Sequence, residues 1–177
     1  GFYMLENANL TPAPSDAAGL NKFVEVVKNM CGVDLESKKD MIKQRLINFC
    51  QANGIPSFEA LSSKVLVDRF MRQEIVNLIT TNETYFYREL PQLQAAIYYA
   101  REELDSVRIL CAPCSTGDEA YSLGMLAHSN LLDVNRVSIV GVDINSEAID
   151  SCKKGVYSER SLHRLNDNQK NIYFTKR

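Results

Sequence analysis

Apolar residues recur at helical spacing through the first half of the chain. Phe23, Val26, Val27 and Met30 form one stripe, and Gly32 follows as a stop signal. Asp34 is placed to cap a second helix, whose Ile42, Leu46 and Phe49 form another stripe before Asn53-Gly54 ends it. Ser57 offers a cap for a short helix. From about Lys64 the pattern predicts a longer one to Leu78, with Val67, Phe70, Met71, Ile75 and Leu78 facing a core. Ordinary core packing explains all these stripes.

The period changes after Asp105. Val107–Cys111 is a short buried-strand signal, broken by Pro113 and Gly117. A helix is predicted from about Asp118 to Leu132, with Tyr121, Leu123, Leu126 and Leu131 as its apolar surface. Val137–Val142 is a second strand signal ending at Asp143, followed by a helix from about Ser146 to Lys153. Strands alternating with helices predict a parallel sheet built from right-handed crossovers. Ile172-Tyr173-Phe174 reads as the opening of a further strand. Two parallel strands leave much of a core uncovered, so the sequence reads as cut before its sheet is finished.

Composition narrows the picture. Of 177 residues, 45% are hydrophobic and 24% charged, enough for a sizeable core or for a helical domain beside part of a larger one. A formal charge of -2 is too weak to argue for nucleic acid as the main partner, and none is expected. One local exception is the segment from Glu36 to Gln51, where Lys38, Lys39, Lys43 and Arg45 outnumber Glu36 and Asp40. No apolar run approaches the roughly 18 residues of a membrane span, and the N-terminus lacks the pattern of a secretory signal. Gly1 to Ala18, polar and carrying Pro12 and Pro14, reads as a flexible leader. Five unevenly spaced cysteines suit a reducing, cytoplasmic compartment better than a disulfide framework.

Candidate chemistry gathers where parallel sheets bind ligands, beyond the carboxyl ends of the strands. The loop Cys111-Ala112-Pro113-Cys114-Ser115-Thr116-Gly117 lies at that edge, and so does Asp143. An acid one strand over from the loop is placed to accept the hydroxyls of a ribose. The loop has a single glycine, so close approach of backbone to a pyrophosphate is not provided for, and it lacks a phosphate loop's lysine. Asp118 and Glu119, in the first turn of the next helix, repel phosphate and attract a cation. A cofactor with a ribose, a positive amino group and no phosphate fits, and S-adenosylmethionine is the obvious candidate. The plainer reading is that the two acids merely cap and charge the helix. Cys111 and Cys114 also imitate the dithiol of thioredoxin-like proteins. Zinc is a weaker reading, because His128 and His163 have no partners at ligand spacing.

Two longer segments are distinctive: Leu78-Ile79-Thr80-Thr81-Asn82-Glu83-Thr84-Tyr85-Phe86-Tyr87-Arg88-Glu89 and Cys114-Ser115-Thr116-Gly117-Asp118-Glu119-Ala120-Tyr121-Ser122. With Gly32-Val33-Asp34-Leu35, Lys39-Asp40-Met41, Val142-Asp143-Ile144 and Gly155-Val156-Tyr157, they closely resemble the CheR family of chemotaxis protein-glutamate methyltransferases. The resemblance covers nearly the whole chain from about Leu20. It implies an α/β architecture: a leader over 1–19, an N-terminal all-helical domain over 20–80, a linker and helix over 81–105, and an incomplete Rossmann-like S-adenosylmethionine-dependent methyltransferase domain over 106–177, ending in the start of a small antiparallel subdomain.

Carried over by residue, the resemblance implies that Asn82, Thr84 and Arg88 border the cofactor and substrate site, with Pro113 in the cofactor loop. Arg88 would meet the methionyl carboxylate and help hold the reactants, Glu119 the amino group, and Asp143 the ribose hydroxyls. The implied reaction methylates glutamate side chains of a chemoreceptor or related signalling protein, giving methyl esters and S-adenosylhomocysteine, in a cytoplasmic monomer. Lys39, Lys43 and Arg45 belong to the helix face that meets the receptor's acidic methylation helices. Relatives often carry more arginines there and Glu-Glu-Pro-Tyr-Ser where this chain has Asp118-Glu119-Ala120-Tyr121-Ser122. The family's later strands are absent, so weak cofactor binding and an inactive fragment are expected. The alternatives are a signalling adaptor that keeps the methyltransferase fold, and a dithiol redox protein using Cys111 and Cys114.

Overall fold

The computed structural model describes residue 1 and residues 11–80, 83–130 and 132–177. The chain forms two compact units, Gly1–Thr81 and Asn82–Arg177.

Among its described residues the first unit is helical: α1 (Ala17–Cys31), α2 (Lys39–Ala52), α3 (Phe58–Val67) and α4 (Arg69–Ile79). Phe23, Val27, Leu35, Leu46, Phe58 and Ile75 lie at the centre of its core. α1 stops where Gly32 takes a left-handed conformation (φ 76°) and returns its N–H to the Lys28 carbonyl. α1 begins at Ala17, inside the stretch that reads as leader. The Asp16 carboxylate ties that entry down, accepting the N–H groups of Phe58 at 2.8 Å and Glu59 at 3.2 Å.

The helix expected from Lys64 to Leu78 is instead two helices, α3 and α4, divided at Asp68. Asp68 sits in extended backbone and its carboxylate accepts from the N–H groups of Phe70 and Met71. A local cap thus competes with continuation of the helix. The break changes the phase of the apolar stripe. Ile75 reaches the core, Met71 and Leu78 pack partly against it, and Val67 (85% exposed) and Phe70 (75%) face solvent.

The second unit orders α5 (Leu90–Glu103), β1 (Val107–Cys111), α6 (Asp118–Ser129), β2 (Val137–Gly141), α7 (Ser146–Lys154) and α8 (Asp167–Tyr173). β1 and β2 pair in parallel, from Val107 against Val137 to Cys111 against Gly141, with α6 as the crossover. Val107, Cys111, Ile109, Val137 and Ile139 are buried or half-buried, whereas Arg108, Leu110, Ser138 and Val140 are exposed on the alternate face. α6 ends at Ser129, short of the expected Leu132; Leu131 lies outside the described residues.

Ile172-Tyr173-Phe174 does not open a strand. It closes α8, with the Phe174 N–H returned to the Lys170 carbonyl. The cause lies at the other end of the helix, where Asn166 and Gln169 form a reciprocal capping box. That nucleates a helix through a triplet whose own apolar pattern has no readable period.

Candidate functional site

Backbone pairing continues past the ends of the two strands. The Val142 N–H donates to the Cys111 carbonyl and the Cys114 N–H to the Val142 carbonyl, both at 2.9 Å. The loop after β1 then closes through the Gly117 N–H to the Cys114 carbonyl. Gly117 has φ 91°, and a Cβ there would stand 2.3 Å from Cys152 Sγ, so both conformation and packing require glycine. The Ala112–Pro113 peptide is cis, and Pro113 is exposed.

This loop fixes Asp143. One carboxylate oxygen accepts the Ser115 N–H and the other the Asn145 N–H, each at 2.8 Å. Backbone rather than flexible side chains therefore orients the group. Each oxygen keeps a further lone pair for an incoming donor. Two hydroxyls on adjacent carbons suit such a carboxylate.

The first turn of α6 holds the second acid. Asp118 is 0% exposed. One oxygen accepts the Thr116 hydroxyl at 2.6 Å, and the other is buried with no hydrogen-bond partner. Burial pushes this carboxyl above its usual pKa, against the hydrogen bonds that lower it. An unsatisfied buried carboxylate oxygen is costly, and a cation bound beside this turn would offset part of that cost. The neighbouring Glu119, the acid singled out from sequence, is exposed. It lies beside Cys111, whose thiol burial first and then the Glu119 charge raise to about 11. The two acids of this turn thus have opposite environments, Asp118 buried and Glu119 exposed. Successive helical positions point about 100° apart, so burial of one and exposure of the next is a tertiary outcome. The order Thr116-Gly117-Asp118 was the available hint, since a hydroxyl two residues before an acid can hold it locally.

The third component is the segment before α5. The Phe86 N–H donates to the Ser161 carbonyl and the Tyr87 N–H to Ser122 Oγ, each at 3.0 Å. The Ser122 hydroxyl in turn donates to the Asp118 carbonyl at 2.6 Å. Tyr87 (φ 61°) and Glu89 (φ 54°) take left-handed backbone on either side of Arg88, costing on the order of 1–3 kcal/mol each for residues with a Cβ. Arg88 is exposed at the tip; it donates to the Glu83 carbonyl and lies 5.9 Å from the Tyr85 ring centre. Thr84 is half-buried, and Asn82 lies outside the described residues. Ser115–Asp143, Thr116–Asp118 and Tyr87–Ser122–Asp118 are thus joined by hydrogen bonds in one unit.

The two loop cysteines have the wrong surroundings for a dithiol couple. Cys111 and Cys114 are buried free thiols. Burial raises both, and for Cys114 the negative environment of Cys152 and Asp143 adds to it. A redox-active cysteine needs a stabilised thiolate. His128 shares a 2.7 Å hydrogen bond with the Tyr173 hydroxyl, and His163 meets the Arg160 carbonyl.

In the first unit, Lys39 is committed to structure: its ammonium pairs with Glu36 at 2.9 Å and donates to Asn21 Oδ1 at 2.8 Å. Lys43 and Arg45 are exposed on α2. No helix among the described residues is long and apolar enough to cross a membrane.

Comparison with known proteins covers both units. The family profile described as CheR methyltransferase, all-alpha domain, matches residues 18–80. That described as CheR methyltransferase, SAM binding domain, matches residues 82–177. A chemotaxis protein methyltransferase of Campylobacter jejuni serotype O:2 is 40% identical over 155 residues, covering 88% of this chain and 58% of its own length. Chemotaxis protein methyltransferase 2 of Vibrio cholerae is 33% identical over 170 residues, covering 88% and 58%. The chemotaxis protein methyltransferase of Salmonella typhimurium is 27% identical over 161 residues, covering 89% and 56%. The chain therefore spans somewhat over half the length of these relatives.

Proposed function

The chain belongs to the CheR chemotaxis methyltransferase family, and on that premise we propose that the intact protein uses S-adenosylmethionine to methylate glutamate side chains of a chemoreceptor-type protein, giving glutamate methyl esters. The observation that carries the reading is the pair of acids at the sheet edge. Asp143 is held by two backbone N–H groups, and Asp118 is buried with one oxygen lacking a donor. Together they suit a ligand with a ribose at one end and a cation at the other. The single glycine of the loop, Gly117, supports a ligand without a pyrophosphate.

S-adenosylmethionine, when bound, supplies an electrophilic methyl group on a sulfonium. Asp143 would hold its ribose hydroxyls, Glu119 its ammonium group with the buried Asp118 adding negative potential, and Arg88 its carboxylate through a charge-assisted contact. Asn82, Thr84 and Pro113 are proposed to line the same site. A glutamate side chain has a reference pKa of about 4.3, so the nucleophile is already ionised at neutral pH. No residue needs to remove a proton. The protein's contribution is alignment and partial desolvation of the attacking carboxylate. That role suits Arg88, set between two constrained residues, better than acid or base chemistry does. On the first unit, the exposed Lys43 and Arg45 are proposed to meet the acidic surface of the receptor, beside Lys39.

Calorimetric titration of the intact full-length protein with S-adenosylhomocysteine, paired with methyl transfer from labelled S-adenosylmethionine to receptor fragments, tests this. Saturable binding with base-labile label on glutamate is expected. If the cofactor product does not bind and no label transfers, the proposal fails.

A further inference from the structure

Ser122 links two parts of the site that sequence leaves unconnected. It is fully buried, one turn into α6, and its side chain does two things at once. The hydroxyl proton goes back to the Asp118 carbonyl at 2.6 Å. With its one proton committed there, Oγ faces outward only as an acceptor, and what it accepts is the Tyr87 N–H at 3.0 Å. Tyr87 is itself buried and in left-handed backbone, immediately before Arg88. The only other tertiary backbone anchor given to this segment among the described residues is the Phe86 N–H on Ser161, which reaches the turn before α8 and not α6.

We propose that Ser122 is a positioning residue: by holding the Tyr87 N–H on the same turn that carries Asp118 and Glu119, it sets the span between the Arg88 guanidinium and the acids of that turn, and thereby the fit of the amino-acid end of the cofactor. This rests on the methyltransferase reading above. Two features support a role beyond packing. A strained backbone persists only when its surroundings over-determine it, and at Tyr87 the Ser122 hydroxyl adds the one side-chain hydrogen bond on its N–H to the burial of its ring in the core. The other bond made by that hydroxyl ends on Asp118, the residue with an unsatisfied buried oxygen. Releasing the Tyr87 N–H would let the segment relax, moving Arg88 relative to α6 while leaving Asp143 and its backbone donors untouched.

The test compares two ligands on the intact full-length protein. S-adenosylhomocysteine carries the amino-acid moiety, and 5′-methylthioadenosine has the same nucleoside and thioether without it. Ser122→Ala is expected to weaken S-adenosylhomocysteine binding about tenfold, the scale of one buried hydrogen bond, and to leave 5′-methylthioadenosine binding unchanged. Ser122→Cys, closely matched in shape but with a weak acceptor, is expected to show the same selective loss, and decides the matter if the alanine variant does not fold. Equal losses for both ligands make Ser122 a general packing residue and overturn the proposal, as does unchanged binding of both. An unsubstituted intact protein that binds neither ligand overturns the methyltransferase reading itself, which is a distinct result.

Discussion

Asp118 is the residue where stability and function pull in opposite directions. Its Thr116-bonded oxygen is satisfied, while its other oxygen is buried without a donor. Burial raises the folded-state pKa above the unfolded value. The folded chain therefore binds more protons than the unfolded one between those two values. This group's contribution is fully present below the unfolded carboxylate range and is lost as pH rises through the raised value. At neutral pH the unliganded protein carries a penalty that a bound cation offsets in part. Asp118→Asn keeps an oxygen for Thr116 and deletes the charge. It is expected to raise the melting temperature of the unliganded chain by a few degrees at neutral pH, flatten its dependence on acidification, and weaken S-adenosylhomocysteine binding at least about tenfold. Melts from pH 4 to 7 beside binding titrations check this; a variant destabilised at neutral pH, with unchanged affinity, would remove Asp118 from the site. The cysteines make a second residue-scale case. Burial raises the thiols of Cys50 and Cys111 above the usual thiol range, to about 11. Their contribution to stability is present below the unfolded value and lost as pH climbs through the raised one. Under native conditions near pH 8, a maleimide should label the half-buried Cys31 and Cys152 first and reach Cys50, Cys111 and Cys114 only on unfolding. Mass spectrometry of timed samples reads the order.

At the scale of elements, Gly19 shows how packing can reverse a propensity argument. It lies in the first turns of α1, where alanine is intrinsically favoured by about 1 kcal/mol. Yet a Cβ at Gly19 would stand 1.8 Å from Asp16 Oδ2 and 2.9 Å from the Glu59 backbone nitrogen. The missing side chain lets α1 approach the start of α3 while Asp16 caps it. Gly19→Ala should therefore destabilise the first unit by about 1–3 kcal/mol, the range for overpacking and a lost cap combined. Chemical denaturation measures it, and a stabilised variant would mean that the Asp16 contact carries little energy. The same contrast decides what was legible in the sequence. β1, β2 and α7 could be read because short β-branched runs and a helical period are local signals bounded by Gly or polar residues. The loop after β1 and Asp143 followed from topology. The break at Asp68 and the helical fate of Ile172-Tyr173-Phe174 were hidden because each is decided by side-chain caps against an ambiguous apolar pattern. The burial of Asp118 rather than Glu119 was hinted at only by Thr116 two residues before it, since it depends on what α6 packs against.

At the scale of the whole molecule, each unit carries its own core: one centred on Phe23, Leu46 and Phe58, the other on Phe86, Ile97 and Leu126. All three hydrogen-bonded parts of the candidate site, Ser115–Asp143, Thr116–Asp118 and Tyr87–Ser122, lie within Asn82–Arg177. A ligand that binds only folded protein stabilises whatever unfolds together with its site, by about 2.7 kcal/mol at a concentration of 100 Kd. If the two units unfold as separate cooperative blocks, S-adenosylhomocysteine should raise the transition of the second alone. Gly19→Ala should lower that of the first alone. Hydrogen exchange followed by mass spectrometry can assign each transition, because peptides from α1–α4 and from α6–β2 report on different units. Protection should rise with ligand in the peptides covering 83–89, 112–119 and 137–145, and stay flat over 20–78. Uniform protection of both units would show that they unfold as one block, and the separate-core picture would then be wrong even though the site itself is correctly placed. Protection confined to 137–145 would leave Asp143 in the site and detach the Arg88 segment and Asp118 from it, so one experiment tests both the division of the chain and the composition of its binding site.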